Sequence, residues 1–243
     1  MSDRLLRRAF PIFRVRASSA YGGTVEVVLP LPDAQESGVA WLAGLAAGAV
    51  LDVLGPLGRP FALPKEPVAC TLVGQGAASA QLFGLAERLR ERGCAVHMVL
   101  AAATGAEVFG ALDAKRSAKT VVVVTADGSV GMRGSVAEVL PGLLSRTGPD
   151  VVYAAAQTAT LHAVAAAAEE QGAWSQTGVD LGLVCATGAC TSCVLPLVGE
   201  DGVARMVRAC SEGPVFRGDR VRWADVGTVP ADTWGAPRGE GEA

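Results

Sequence analysis

Val68-Ala69-Cys70-Thr71-Leu72-Val73 runs directly into Gly74-Gln75-Gly76-Ala77-Ala78-Ser79. A short run rich in apolar and β-branched residues, closed by glycines, reads as a buried strand followed by a tight turn. The turn opens a helix predicted over Ala78–Glu91, and Gly93 stands where a left-handed C-cap is wanted. The pattern then repeats. Strands are predicted at Ala95–Leu100, Thr120–Thr125 and Asp150–Ala155. Helices are predicted at Ala106–Leu112, Ser135–Leu144 and Thr158–Gln171. Apolar strands alternating with helical patterns indicate βαβ units on a parallel sheet. This nucleotide-binding-like α/β domain is placed at residues 66–172.

The flanks read differently. In residues 1–63, strands at Phe13–Arg16 and Thr24–Leu29 flank a turn at Gly22-Gly23. A short helix at Trp41–Ala46 precedes a strand at Ala49–Val53, which ends at Gly55-Pro56-Leu57-Gly58. Pro60 and Pro64 mark a linker. Residues 173–243 place cysteines among short loops, and the glycine- and proline-containing tail from about Val226 is expected to be mobile. The fold class is therefore mixed: a partial antiparallel β-barrel, an α/β parallel-sheet domain, and a small cysteine-bearing domain.

The cysteines carry the clearest chemistry. Cys185-Ala186-Thr187-Gly188-Ala189-Cys190-Thr191-Ser192-Cys193 is a C-x4-C-x2-C loop, with Cys210 further on. This is the plant-type spacing for a [2Fe–2S] cluster. Thiolates are soft ligands suited to iron and sulfide. Gly188 allows a positive φ, and small residues leave room around the sulfides. Four thiolates also suit a structural zinc site. Such sites usually pair two short knuckles, whereas here the second half is Cys210 alone. Cys70 and Cys94 fall in a strand and just after a helix, and read as core thiols.

Gly74-Gln75-Gly76 could bring backbone close to a pyrophosphate at a helix N-terminus. The third glycine of that fingerprint is absent, and no acidic residue ends the next strand. A tight turn without ligand is the other reading, and these residues leave both open. Arg7-Arg8-Ala9-Phe10 could hold a flavin phosphate and ring or simply begin a strand. His97 and His162 read as structural. No nucleophilic triad and no carboxylate pair stands out, so no catalytic residue is assigned.

Composition narrows the class. Of 243 residues, 50% are hydrophobic and 19% charged, which supports a packed core and excludes global disorder. The net charge of −3, with no basic stripe, argues against a nucleic-acid surface. The N-terminus lacks the apolar core of a secretory signal. The longest apolar run, Val39 to Leu51, is too short to span a bilayer. A cytoplasmic protein is expected, and in that reducing compartment cysteines serve metal or thiol chemistry more than disulfides.

Taken in order, these motifs resemble the electron-transfer subunits of NAD-dependent dihydroorotate dehydrogenase, in the ferredoxin–NADP reductase-like superfamily. Leu5-Leu6-Arg7-Arg8-Ala9-Phe10-Pro11-Ile12 resembles the flavin-binding LLRRPxSI strand of that family. Leu54-Gly55-Pro56-Leu57-Gly58 resembles its LGPLG turn, and Asp127-Gly128-Ser129-Val130-Gly131 its DGSxG segment. Tyr153 to Thr158 falls on its YACGPT stretch. Cys185 to Cys193, then Cys210-Ser211-Glu212-Gly213-Pro214-Val215-Phe216, resembles its cluster loop and CxDGPVF element. The resemblance implies a [2Fe–2S] cluster on Cys185, Cys190, Cys193 and Cys210, with FAD touched by Arg8, Phe10 and Gly38. It also implies NAD near Gly74 and Gly76, and a separate FMN-containing catalytic subunit in a hetero-oligomer.

Several positions depart from that pattern. Pro11 stands where a serine is expected. Gln75 and Ala78 replace glycines, and Gln81 a proline. Ala155-Ala156-Gln157 replaces the nicotinamide-facing Cys-Gly-Pro, and Gly182 an arginine. Only Met1 to Arg4 precede the flavin strand, too few residues to close a six-stranded barrel. The expectation is therefore a retained cluster with weakened nucleotide sites. The alternative is a redox-sensing or structural subunit whose nucleotide sites are lost.

Overall fold

β1 (Ile12–Ala17) and β2 (Gly23–Val27) pair antiparallel, with Val15 opposite Val25 and Arg16 opposite Thr24. Gly22, at φ 101, turns the chain between them. The computed structural model describes residues 8–17, 22–29 and 38–236. Leu5, Leu6 and Arg7 of the flavin motif, and the tail beyond Ala236, lie outside them. A short helix, α1 (Gly38–Ala43), follows. Among the described residues the expected partial barrel is represented by this two-stranded ribbon.

The strand predicted at Ala49–Val53 does not form. Val50 is 97% exposed and Val53 80%. A strand needs a neighbour to take its N–H and C=O groups, and none lies alongside among the described residues.

The α/β unit follows the βαβ expectation. β3 (Ala69–Gln75), β4 (Ala95–Ala102), β5 (Thr120–Thr125), β6 (Met132–Arg133), β7 (Val151–Ala155), β8 (Trp174–Gly178) and β11 (Val215–Arg217) form one sheet. Its order is β11-β8-β7-β3-β4-β5-β6, and only the β8–β11 pairing is antiparallel. Its inner strands read as continuous apolar runs because both faces are covered. α2 (Ala80–Glu91) and α3 (Ala111–Ser117) pack on one face, over Cys70, Leu72, Met98 and Tyr153. α4 (Val136–Thr147) and α5 (Thr158–Glu170) pack on the other, over Val73, Val99 and Val152.

Local sequence explains the helix ends. Ser135 and Glu138 form a reciprocal capping box at the start of α4, and Gly148 ends that helix at φ 53. The helix predicted at Ala106–Leu112 is displaced to Ala111–Ser117. Gly110 takes φ 70 against the Phe83 ring, so the helix starts only after it.

The sheet also runs past the expected boundary at residue 172, because β8 extends it and the cysteine segment sends β11 back to its edge. The tail is more ordered than expected as far as Ala236. Trp234 N–H donates to Ala204 O at 2.8 Å, Arg222 pairs with Asp232, and Thr233 is buried.

Candidate cluster site and nucleotide crevice

The cysteine loop spans the gap between β8 and β9 (Val194–Val198), and β9 pairs antiparallel with β10 (Ala204–Arg208). α6 (Ala209–Glu212) follows at once and carries Cys210. The hairpin therefore brings Cys210 back beside Cys193. The Ala209 N–H donates to Cys193 O at 2.8 Å. Both cysteines are buried in the core that contains Leu161 and Phe216. Burial, with Cys193 alongside, pushes the Cys210 thiol up from its ordinary value.

The other two cysteines lie nearer the surface. Cys185 is half-buried and Cys190 exposed. Backbone N–H groups of Cys190 and Thr187 point at Cys185 Sγ from 3.5 and 3.4 Å. They hold that thiol down at about 5. Ser192 Oγ lies 3.1 Å from Cys190 Sγ. Ala186 and Thr191 adopt φ values of 56 and 54, which side chains rarely accept. The loop keeps them while its N–H groups converge on sulfur.

The donor set fits a binuclear cluster. The thiols fall into a buried pair, Cys193 and Cys210, and an outer pair, Cys185 and Cys190. Among the described residues, no three histidine, cysteine or carboxylate side chains converge on one point able to hold a single ion. Four thiolates in two pairs are the complement that a [2Fe–2S] cluster would take. Burial disfavours the Cys210 thiolate, and a bound metal's charge would reverse that balance.

The nucleotide crevice is located by the sheet. β4 and β5 lie to one side of β3, with β7 and β8 to the other, so the strand order reverses between β3 and β7. Ligands of open α/β sheets bind beyond the strand ends at this point. Here the Gln75 side chain accepts the Gln157 backbone N–H at 3.2 Å. Gly74 does not face the crevice: a Cβ there would collide with Ser79. Gly76, at φ 53, has open space around its Cα. Gln81 Oε1 and the Phe61 ring lie over Gly178, at the end of β8. The 59–64 linker is fixed to the sheet by Tyr153 Oη, which donates to Ala62 O at 3.0 Å, and by Gln176, which bonds both the N–H and C=O of Ala62.

Of the flavin candidates, the Arg8 guanidinium packs against Gly38, where a Cβ would meet Arg8 Nε at 2.5 Å. Phe10 is half-buried. His97 Nδ1 bonds Thr120 Oγ1 at 2.7 Å, and His162 stacks on Trp223. Cys70 and Cys94 are buried core thiols, and burial pushes Cys70 up to about 12. Sequence reasoning missed Arg208, whose Nη1 donates to Gly188 O at 3.0 Å. Twenty residues separate that pair, and no spacing signals it.

Residues 182–222 match the iron–sulfur cluster binding domain of dihydroorotate dehydrogenase B. The chain is 35% identical over 217 residues to the dihydroorotate dehydrogenase B (NAD(+)) electron transfer subunit of Shouchella clausii, covering 88% of this chain and 79% of that one. The chain belongs to that family. The dihydroorotate dehydrogenase B electron transfer subunit of Listeria monocytogenes serovar 1/2a is 30% identical over 223 residues, 91% of this chain and 83% of its own. A solved NADH-dependent reduced ferredoxin–NADP oxidoreductase, studied for flavin-based electron bifurcation, shares the fold at a TM-score of 0.68 and 28% identity. That likeness covers 84% of this chain and 70% of the other. As a dihydroorotate dehydrogenase B electron transfer subunit, the chain is an iron–sulfur, electron-transfer protein on a mixed α/β fold with a parallel-sheet core. Membership favours electron transfer over a purely structural or redox-sensing subunit. Among the described residues no helix is long and apolar enough to cross a membrane.

Proposed function

We propose that this subunit relays single electrons between a flavin on its N-terminal half and the FMN of a separate catalytic subunit that oxidises dihydroorotate. Cys185, Cys190, Cys193 and Cys210 are the ligands of the [2Fe–2S] cluster. The observation that carries the reading is the division of the four thiols into two pairs, one buried and one near the surface. When bound, the cluster stores one electron at a time, and FAD converts a hydride pair into single electrons. The chain's own part is positional. The inner thiols anchor the cluster in the core, and the outer pair places its edge where a partner can approach.

On this reading residues 1–63 are a partial-barrel flavin domain, residues 66–172 together with the added strand β8 the nucleotide domain, and the remainder to residue 243 the cluster domain. Arg8, resting on Gly38, supplies a cation for a flavin phosphate, and Phe10 an aromatic face. Gly76 leaves room for a nucleotide at the crevice, with Gly74 behind it. The complex is a hetero-oligomer in the cytoplasm, where six cysteines stay reduced.

Anaerobic purification with iron, sulfide, zinc and flavin analysis tests this. Equal iron and acid-labile sulfide, bound flavin, and cluster reduction by dihydroorotate through the catalytic subunit are expected. Zinc in place of iron and sulfide overturns it.

A further inference from the structure

We infer that Arg208 sets the reduction potential of the cluster while fastening the cysteine loop to the turn that carries Cys210. This rests on the reading of the four cysteines as cluster ligands. Arg208 ends β10 and stands opposite Val194, the residue after Cys193. Its guanidinium bonds Gly188 O, at the centre of the loop. Ala209 N–H in turn bonds Cys193 O. Two hydrogen bonds thus close the loop onto the turn, and one of them carries a full positive charge.

That charge is uncompensated. Arg205 pairs with Asp201, and Arg217 and Arg220 with Asp219. Arg222 pairs with Asp225 and Asp232. Among the described residues Arg208 has no carboxylate partner. Four thiolates and two sulfides outweigh the charge of two irons, and reduction adds one further negative charge. A nearby cation therefore favours the reduced state and raises the potential. For a partly solvated charge, roughly a threefold to tenfold change in the reduced-to-oxidised ratio is expected. Tenfold corresponds to about 59 mV for a one-electron couple.

The test is a redox titration of the holoprotein, followed by the paramagnetic signal of the reduced cluster, at low and high salt. Arg208→Gln removes the charge and Arg208→Lys keeps it. The glutamine variant is expected at a lower midpoint than wild type and the lysine variant close to wild type. High salt should narrow the gap, because exposed charges are screened over a Debye length of about 10 Å at 0.1 M. A glutamine variant equal to wild type at low salt, or a lysine variant that falls equally far, overturns the proposal. If neither variant retains a cluster, the position serves the fold rather than the potential, and the proposal is overturned. A wild-type protein without the reduced-cluster signal overturns the underlying cluster reading, a result distinct from the others.

Discussion

The Gln157 backbone N–H, at the start of α5, donates to the side-chain carbonyl of Gln75 at 3.2 Å. That N–H belongs to a helix terminus which, at a strand-order reversal, would otherwise be offered to a ligand phosphate. The chain thus supplies its own acceptor at the mouth of the crevice, and a dinucleotide bound there would have to displace it.

Gln75→Ala should therefore tighten NADH binding to the holoprotein. The net value of such a hydrogen bond is about 0.5–1.5 kcal/mol, which corresponds to roughly twofold to thirteenfold in Kd. Calorimetric titration measures it. An unchanged Kd would mean that the side chain does not compete.

Cys190→Ser and Cys193→Ser should both abolish the visible cluster spectrum, yet differ without the cluster. Cys193 is 2% exposed, so a hydroxyl there is buried among apolar groups. A loss of about 1–3 kcal/mol of apo-protein stability is expected. Cys190 is exposed, and its replacement should stay within about 0.5 kcal/mol. Urea unfolding separates the two, and an intact spectrum in either variant refutes that ligand.

In cluster-free protein, Cys185 should react as a thiolate well into the acid range. Its folded pKa is depressed to about 5 by the N–H groups of Cys190 and Thr187. The sign follows: ionisation of Cys185 favours the folded loop above the ordinary thiol pKa of about 8.5, and this contribution is lost as pH falls towards 5. Alkylation at Cys185, mapped by mass spectrometry, should rise with a midpoint near 5. A midpoint near that of an ordinary thiol would show that the two N–H groups do not govern it.

Gly74→Ala should cost about 1–3 kcal/mol, the usual penalty of overpacking, because the new methyl meets Ser79 Cβ and comes within 2.9 Å of Ser79 Cα. Gly142→Ala is the control. It lies in α4 with nothing within 4 Å of its Cβ position, and a gain of roughly 0.5–1 kcal/mol is expected. Equal effects from both would show that Gly74 is not a packing glycine.

The amino-acid sequence by itself determined the elements whose patterns are local. The apolar runs at β3, β4, β5 and β7, the helix start at Ser135, and the cysteine spacing from 185 to 193 were all legible, because each depends on neighbours a few residues away. Only the tertiary structure decided the rest. It joined β11 to the sheet, left residues 49–53 without a partner strand, and sorted four equivalent cysteines into an inner and an outer pair. It also set Gln75 against Gln157 and Arg208 against Gly188. Such contacts join residues 20 and 82 positions apart. They depend on how strands and loops are stacked, which no spacing along the chain encodes.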